Sequence, residues 1–271
     1  MKEQIAKSPF VREEFLNLAQ KFSNADVQQF KNHLIEKNTL VNTGNREFVD
    51  YRPDFIFTNE ELIQHNISEI RLDSLHYSQI NDGLQNLNYK HVIISKSDIV
   101  VTLPLSDSYE VYLSNLSKKK RHELKRKKRN FEKEITDFQL LQSNDDEIFA
   151  EFINQHRNSS GEKGEFMTEE FEVYFKNLLQ FKSWKIYFLQ SGDEIISTAF
   201  CYENEIGCYL YNSSRNNKFN HLNPGIVLND LITQRLIEEG KVFFDFLKGT
   251  ERYKYDLGGN SVQLYDLAIE L

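Results

Sequence analysis

Between Trp184 and Gly249 the chain spells out an order of elements that few folds accommodate. The runs KIYFLQ and EIISTAFCY flank Ser191-Gly192-Asp193, a tight-turn signature, and EIGCYLYNSS continues the meander. A polar loop, RNNKFNHLNPG, leads into IVLNDLITQRLIEEG, where Val227, Leu231 and Leu236 recur at helical spacing until Gly240 ends the run. VFFDFLKG follows as a strand, and SVQLYDLAIEL closes the chain as another. Three antiparallel strands followed by loop, crossover helix and strand describe an α/β chain with a mixed (α+β) sheet. With the second turn centred on Asn204-Glu205, Cys201 falls directly opposite Cys208, and both are expected as thiols.

Upstream, Val11, Phe15, Leu18 and Phe22 predict an amphipathic helix, and Val27, Phe30 and Leu34 a second one after the SNAD break. DFIF (54–57) and EIRLDSL (69–75) read as strands, and HVIISKSDIVVTLPL (91–105) as a hairpin turning at Ser97-Asp98. Asp107 reads as the cap of a short helix bearing Tyr109, Tyr112, Leu113 and Leu116, and Ser117 as the cap of a basic helix reaching about Glu134. TDFQLLQ reads as a strand, and two helices follow at about 145–157 and 168–181. The polar loop between them, HRNSSGEKGEF (156–166), is a candidate lid. The expected division is 1–105, a smaller α+β half, and 106–271, with the basic helix at 117–134.

Charge narrows the choice of partners. The 271 residues carry a net charge of −8, yet Lys118 to Arg129 holds nine Lys or Arg against one Glu. The rest of the chain has 24 basic and 40 acidic residues, a balance near −16. Three readings stand for this helix: a solvated face packed through Leu124 and Phe131, a surface for an anionic partner, or a DNA reader. The anionic partners considered are tRNA, lipid headgroups and a nucleotide-linked precursor. DNA reading is disfavoured, because basic residues occupy all sides and no dimerising heptads continue from the helix. No apolar run approaches the roughly 20 residues of a membrane span. With no apolar leader segment and only two cysteines, the expected location is cytoplasmic.

The common catalytic signatures are missing: no P-loop, no G-x-S-x-G, no H-E-x-x-H and no paired C-x-x-C, while the seven His are scattered, so no metal is expected. What remains lies at two places. Asn223, Pro224, Gly225 and Ile226 open the crossover helix, where backbone N–H groups without helical partners suit a phosphate or pyrophosphate; a plain helix cap is the alternative. The strand FFDFLKG and the cluster that follows put Asp245, Lys248, Gly249, Tyr253 and Lys254 at a strand end, where open α/β sheets bind ligands. Asp245 could simply bond the backbone at the strand end. Lys254 could reach a ligand or sit solvated on the surface.

The stretch NPGIVLNDLITQRLIEEGKVFFDFLKGTERYKY resembles the GNAT acyltransferases of the branch associated with cellulose biosynthesis, and their relatives, the Fem-type peptidoglycan aminoacyl-transferases. The matching residues are Pro224, Gly225, Gly240, Asp245, Phe246, Leu247, Lys248, Gly249, Tyr253 and Lys254. Upstream, LPLSDSYEVYLSNLSKKKRHELKRKKRNFEKE resembles the branch's strand, Leu-Ser-Lys turn and basic helix, so the likeness covers about 100–260. The loop keeps only Gly225 where typical GNAT enzymes place several glycines, a reduction the branch shares.

The resemblance implies a GNAT-like acyl-CoA N-acyltransferase fold, whose N-terminal half would be a degenerate copy as in the Fem-type proteins. It implies acetyl-CoA or another acyl-CoA as donor, and an amine of a small-molecule or cell-envelope precursor as acceptor. The thioester would lie between the splayed Asp245 strand and CYLYNSS, polarised by a backbone N–H near Tyr209 to Asn212. Asp245 would serve as base or amine orienter, with Tyr253 and Lys254 toward the phosphates or sulfur; Tyr211 would be catalytic or core. Two rival functions remain: Fem-like transfer from aminoacyl-tRNA, and a non-catalytic scaffold binding nucleic acid or an anionic membrane surface.

Overall fold

The computed structural model describes residues 1–22, 27–159 and 161–271. Its chain divides into two units, residues 1–100 with 261–271, and residues 101–260. Residues 261–271, read from sequence with the second half, therefore belong to the first unit.

The first unit begins with α1 (Lys2–Lys7) and α2 (Glu13–Lys21), whose buried face is Phe15, Leu16, Leu18 and Ala19. Next come β1 (Gln28–Phe30), β2 (His33–Glu36) and β3 (Thr39–Asn42), an antiparallel meander. The helix expected over Val27, Phe30 and Leu34 is therefore a hairpin. Lys31, between β1 and β2, has φ 54, a left-handed turn conformation that no helix interior tolerates. The SNAD break itself lies outside the described residues. α3 (Asn59–Gln64) opens with a capping box in which Thr58 accepts from the Glu61 N–H and the Glu61 side chain returns to the Thr58 N–H.

β4 (Glu69–His76) lies parallel to β3 and is followed by α4 (Tyr77–Leu84). DFIF forms no strand; Phe55 and Phe57 are buried and Ile56 is exposed, so its in-out alternation is that of an extended segment packed on the core. β5 (His91–Pro104) is one continuous strand rather than a hairpin. Gln263 donates to the Ser97 and Asp98 carbonyls and Arg46 binds the Asp98 carboxylate, so the polar pair is held within the strand instead of turning it.

In the second unit, α5 (Tyr109–Asn115) is capped by Ser108, whose Oγ accepts the Val111 N–H, and not by Asp107. α6 (Lys118–Glu134) has the expected Ser117 cap. β6 (Gln139–Ser143) precedes α7 (Asp146–Arg157), α8 (Glu162–Phe166) and α9 (Glu169–Leu178). The meander β7 (Trp184–Ser191), β8 (Glu194–Glu203) and β9 (Gly207–Arg215) turns first at Gly192, φ 55. A 3-10 turn (Asn217–Leu222) leads to α10 (Pro224–Glu238), which returns the chain to β10 (Phe243–Lys248), parallel to β9. α11 (Arg252–Asp256) and β11 (Asn260–Glu270) complete the chain. Strand orders are β1-β2-β3-β4-β11 in the first unit and β10-β9-β8-β7-β6 in the second.

α10 is buried on two sides. Val227, Leu228, Ile232 and Leu236 are among its buried apolar residues, while Leu231, expected inside, is only half-buried. Asn229, Asp230 and Thr233 are buried as well. Each fully buried aliphatic side chain contributes about 1.5–3 kcal/mol. On the other face of β7–β9, Trp184, Phe200 and Tyr211 pack with Phe152 of α7 and Phe175 of α9.

The cysteines are both buried and free, but they are not opposite one another. Cys208 faces Glu203 and Cys201 faces Leu210, because the turn between β8 and β9 is centred on Glu205-Ile206, one residue beyond the expected Asn204-Glu205.

Candidate functional site

Because α10 runs back between two parallel strands, its first turn and the C-terminal ends of β9 and β10 share one edge. The candidate residues fall into three groups along it.

The first group surrounds the bulge. β8 pairs Phe200 with Asn212 and then Cys201 with Leu210, which leaves Tyr211 as the extra residue on β9. A bulge bends its strand and sharpens its twist. The parallel ladder runs only from Phe243↔Gly207 to Asp245↔Tyr209, although both strands continue beyond it. β9 and β10 therefore part just before the bulge. Asp245 is 0% exposed, and its Oδ1 accepts the Leu247 N–H at 2.8 Å. Leu247 is left-handed, φ 57, so this carboxylate fixes the turn that ends β10. Burial, and then the Asp245 charge, push the Tyr209 phenol well above its ordinary range. Tyr211 is half-buried, its hydroxyl 3.4 Å from that of Tyr174, and its ring packs on Phe175 and Trp184.

The second group is a turn closed on itself. Lys254, 2% exposed, donates from Nζ to the carbonyls of Lys248 at 2.5 Å, Gly249 at 3.3 Å and Leu247 at 3.4 Å, and pairs with Glu251 at 2.9 Å. An ammonium has three donors, and this turn occupies them. Lys254 is thus neither a solvated lysine nor a group turned outward toward phosphates. Gly249 sits at φ 106, where a Cβ would come within 2.4 Å of the Glu251 carboxylate. Lys248 is half-buried beside it. The Tyr253 ring lies edge-on to Phe246, 6.0 Å between centroids, and burial followed by the Glu251 charge raises its phenol pKa.

The third group is the helix start. Asn223 is left-handed, φ 56 and ψ 47, and its carbonyl accepts the N–H groups of Ile226 and Val227. Pro224 has no N–H. Gly225 keeps the one first-turn amide with no acceptor among the described residues, and a Cβ there would meet nothing within 4 Å. The helix start thus offers one amide, the positive end of a 15-residue helix and open space, which fits a phosphate oxygen.

Two further sets carry no sequence motif. His156 of α7, buried, meets Asn212 just past the bulge, with Nε2 3.0 Å from Oδ1. Its only sequence signal is that it opens the polar loop 156–166, a loop that contains α8. Asp230 of α10, fully buried, accepts the Tyr109 hydroxyl at 2.7 and 2.8 Å and the Lys128 ammonium at 3.1 Å, joining α5, α6 and α10. Lys118, Lys119, Lys125, Arg126 and Arg129 remain exposed on α6. Among the described residues no cluster of three or more His, Cys, Asp or Glu could hold a metal ion. Among those residues, too, no helix is long and apolar enough to cross a membrane.

A meander, a crossover helix onto a parallel strand and a bulge where the two strands part define the mixed-sheet fold of the N-acyltransferases. The acetyltransferase (GNAT) domain family matches residues 118–255, a little over half of the chain, and the chain belongs to that family. No curated protein sequence matches it. Among solved structures, a conserved protein of unknown function from Bacteroides thetaiotaomicron superposes with a TM-score of 0.63 at 13% identity, over 95% of this chain and 90% of that one. FemX superposes with a TM-score of 0.59 at 11% identity, over 98% and 95%. The C-terminal domain of an Agrobacterium fabrum protein described as a lysylphosphatidylglycerol synthetase gives 0.56 at 12% identity, over 95% and 92%. At these identities the likeness is one of fold.

Proposed function

We propose that this acyltransferase moves an acetyl or other acyl group from coenzyme A to an amine of a small-molecule or cell-envelope precursor, as a member of the branch associated with cellulose biosynthesis. The observation that carries the reading is the parting of β9 and β10 at the Tyr211 bulge, with the buried Asp245 at the last rung of the ladder. When bound, the coenzyme supplies an acyl carbon activated as a thioester. The reaction forms a C–N bond to the amine and breaks the C–S bond; the amine loses a proton to a base and the departing thiolate takes one up. The Gly225 amide, with Asn223, Pro224 and Ile226 shaping it, would receive the phosphates, and Lys248 and Gly249 lie at the same strand edge. An N–H freed by the bulge between Tyr209 and Asn212 would stabilise negative charge on the carbonyl oxygen. Asp245 would orient the amine, and Lys254 and Tyr253 would hold the turn that carries it.

The first unit supports a second element of the reading, that it is a reduced copy of the same fold. β1-β2-β3, then α3 and the parallel β4, repeat the order of β7-β8-β9, α10 and β10. A cytoplasmic setting fits a coenzyme A donor.

The exposed basic face of α6 favours a second function, transfer from aminoacyl-tRNA. The FemX fold accords with it. A scaffold binding nucleic acid or anionic lipid without chemistry is the third. Thermal-shift titrations with acetyl-CoA, and with total tRNA beside it, separate them. A ligand at 100 times its Kd stabilises the native state by about 2.7 kcal/mol. A shift with acetyl-CoA is expected; a shift with tRNA alone would move the assignment to the aminoacyl branch, and silence from both would remove the acyl-CoA reading.

A further inference from the structure

Asn212 is held by its oxygen from two directions. Oδ1 accepts the Ser213 N–H at 2.7 Å and lies 3.0 Å from His156 Nε2. A backbone N–H requires an acceptor, so the atom at that point is the amide oxygen, and His156 Nε2 must carry its proton and donate. His156 is 1% exposed, with its ring against Phe152 and Phe166. The amide plane is thereby fixed from α7. The NH2 of Asn212 points away from the oxygen and has no hydrogen-bond partner among the described residues, and Asn212 is half-buried where β9 has already left β10.

We propose that Asn212 is a donor-binding residue whose amide NH2 hydrogen-bonds the carbonyl oxygen of the bound acyl group, and that His156 is the residue that positions it. This rests on the acyl-CoA reading above and adds a side-chain donor to the backbone N–H expected there. The arrangement meets the demand of such a donor: a dipole oriented before the ligand arrives, so that no reorganisation accompanies charge development on oxygen. The aromatic packing around His156 and the second bond from Ser213 leave the amide one orientation.

The test uses two ligands that differ in that oxygen: acetyl-CoA and S-ethyl-CoA, whose thioether has no carbonyl. Calorimetric Kd values are measured for the wild type and for Asn212→Asp, which keeps both acceptor bonds and replaces the NH2 by an oxygen. The wild type is expected to prefer acetyl-CoA; in Asn212→Asp its affinity for acetyl-CoA falls about tenfold while that for S-ethyl-CoA stays within about twofold. His156→Leu, with Asn212 intact, should lose the same preference, and His156→Gln, which can still donate to Oδ1, should restore it. These readouts keep the test open if Asn212→Asp does not fold. Binding of both ligands by the wild type with equal affinity, or equal losses for both in Asn212→Asp, overturns the Asn212 assignment and leaves the donor reading standing. Binding of neither ligand by the wild type overturns the donor reading and this assignment with it.

Discussion

Two buried side chains make the residue scale testable. His33 on β2 is 1% exposed, and neither ring nitrogen has a hydrogen-bond partner among the described residues. Burial first, then the charges of Arg52 and Lys31, lower its pKa from 6.5 to about 3. The folded state thus binds this proton only near pH 3, whereas the unfolded chain binds it below 6.5. Stability from this site is complete above pH 6.5 and drains away as pH falls toward 3. Between pH 7 and 5 the loss is about 2 kcal/mol. Urea midpoints should show His33→Leu losing that much less than wild type over the interval; equal losses would contradict the assignment. Lys254 is the second case. Removing its ammonium in Lys254→Met strands the carbonyls of Leu247, Lys248 and Gly249 and is expected to cost about 2 kcal/mol, read in the same way. Sequence could mark Lys254 but not say what it does, since a lysine five residues past a strand reads equally as solvent-facing or ligand-facing. Only the backbone path, with Leu247 and Gly249 both at positive φ, folds three carbonyls onto one ammonium.

α6 and α10 define the scale of elements. α6 starts with Lys118, Lys119, Lys120 and Arg121, four cations at the positive end of a helix dipole, which opposes its formation. The Ser117 cap, burial of Leu124 and Phe131, and the Lys128–Asp230 pair offset this. Asp230→Ala would leave Lys128 and Tyr109 facing an empty carboxylate site. A loss of about 3 kcal/mol in denaturant unfolding is expected, with Asp230→Asn costing less because it keeps an acceptor. A change under about 0.5 kcal/mol would mean that α6 does not depend on this joint. The helix itself was legible in the sequence, as were the Gly192 hairpin and the crossover, because cap, periodicity and turn residues agreed there. Val27, Phe30 and Leu34 misled because three apolar residues in a polar stretch fit several periods, and the left-handed Lys31 leaves no mark in composition. The Ser97-Asp98 pair misled for another reason. Turn formers can stay in a strand when distant residues hold them: Arg46 binds the Asp98 carboxylate and Gln263 the two backbone carbonyls, and those partners lie far along the chain.

For the molecule as a whole, the order of elements from Trp184 to Gly249 was sufficient to place the sheet edge that carries the candidate residues, since meander and crossover constrain topology strongly. The details of that edge were not. The bulge at Tyr211 arises from a register slip that no spacing encodes, and it follows directly on the point where β9 leaves β10. His156 and Asn212 meet across 56 residues, with nothing local to pair them. The helix start was legible from Pro224-Gly225, but Asn223 takes up two of its amides internally, leaving Gly225 with the one first-turn amide that has no acceptor among the described residues. This residue gives the most direct measurement: calorimetric titration of acetyl-CoA into the wild type and into Gly225→Val, whose added side chain enters space that is open in the folded protein. Wild-type binding with at least about a tenfold loss in a fully folded Gly225→Val is the expected result. Equal affinity in the two proteins would contradict a donor site at the start of α10.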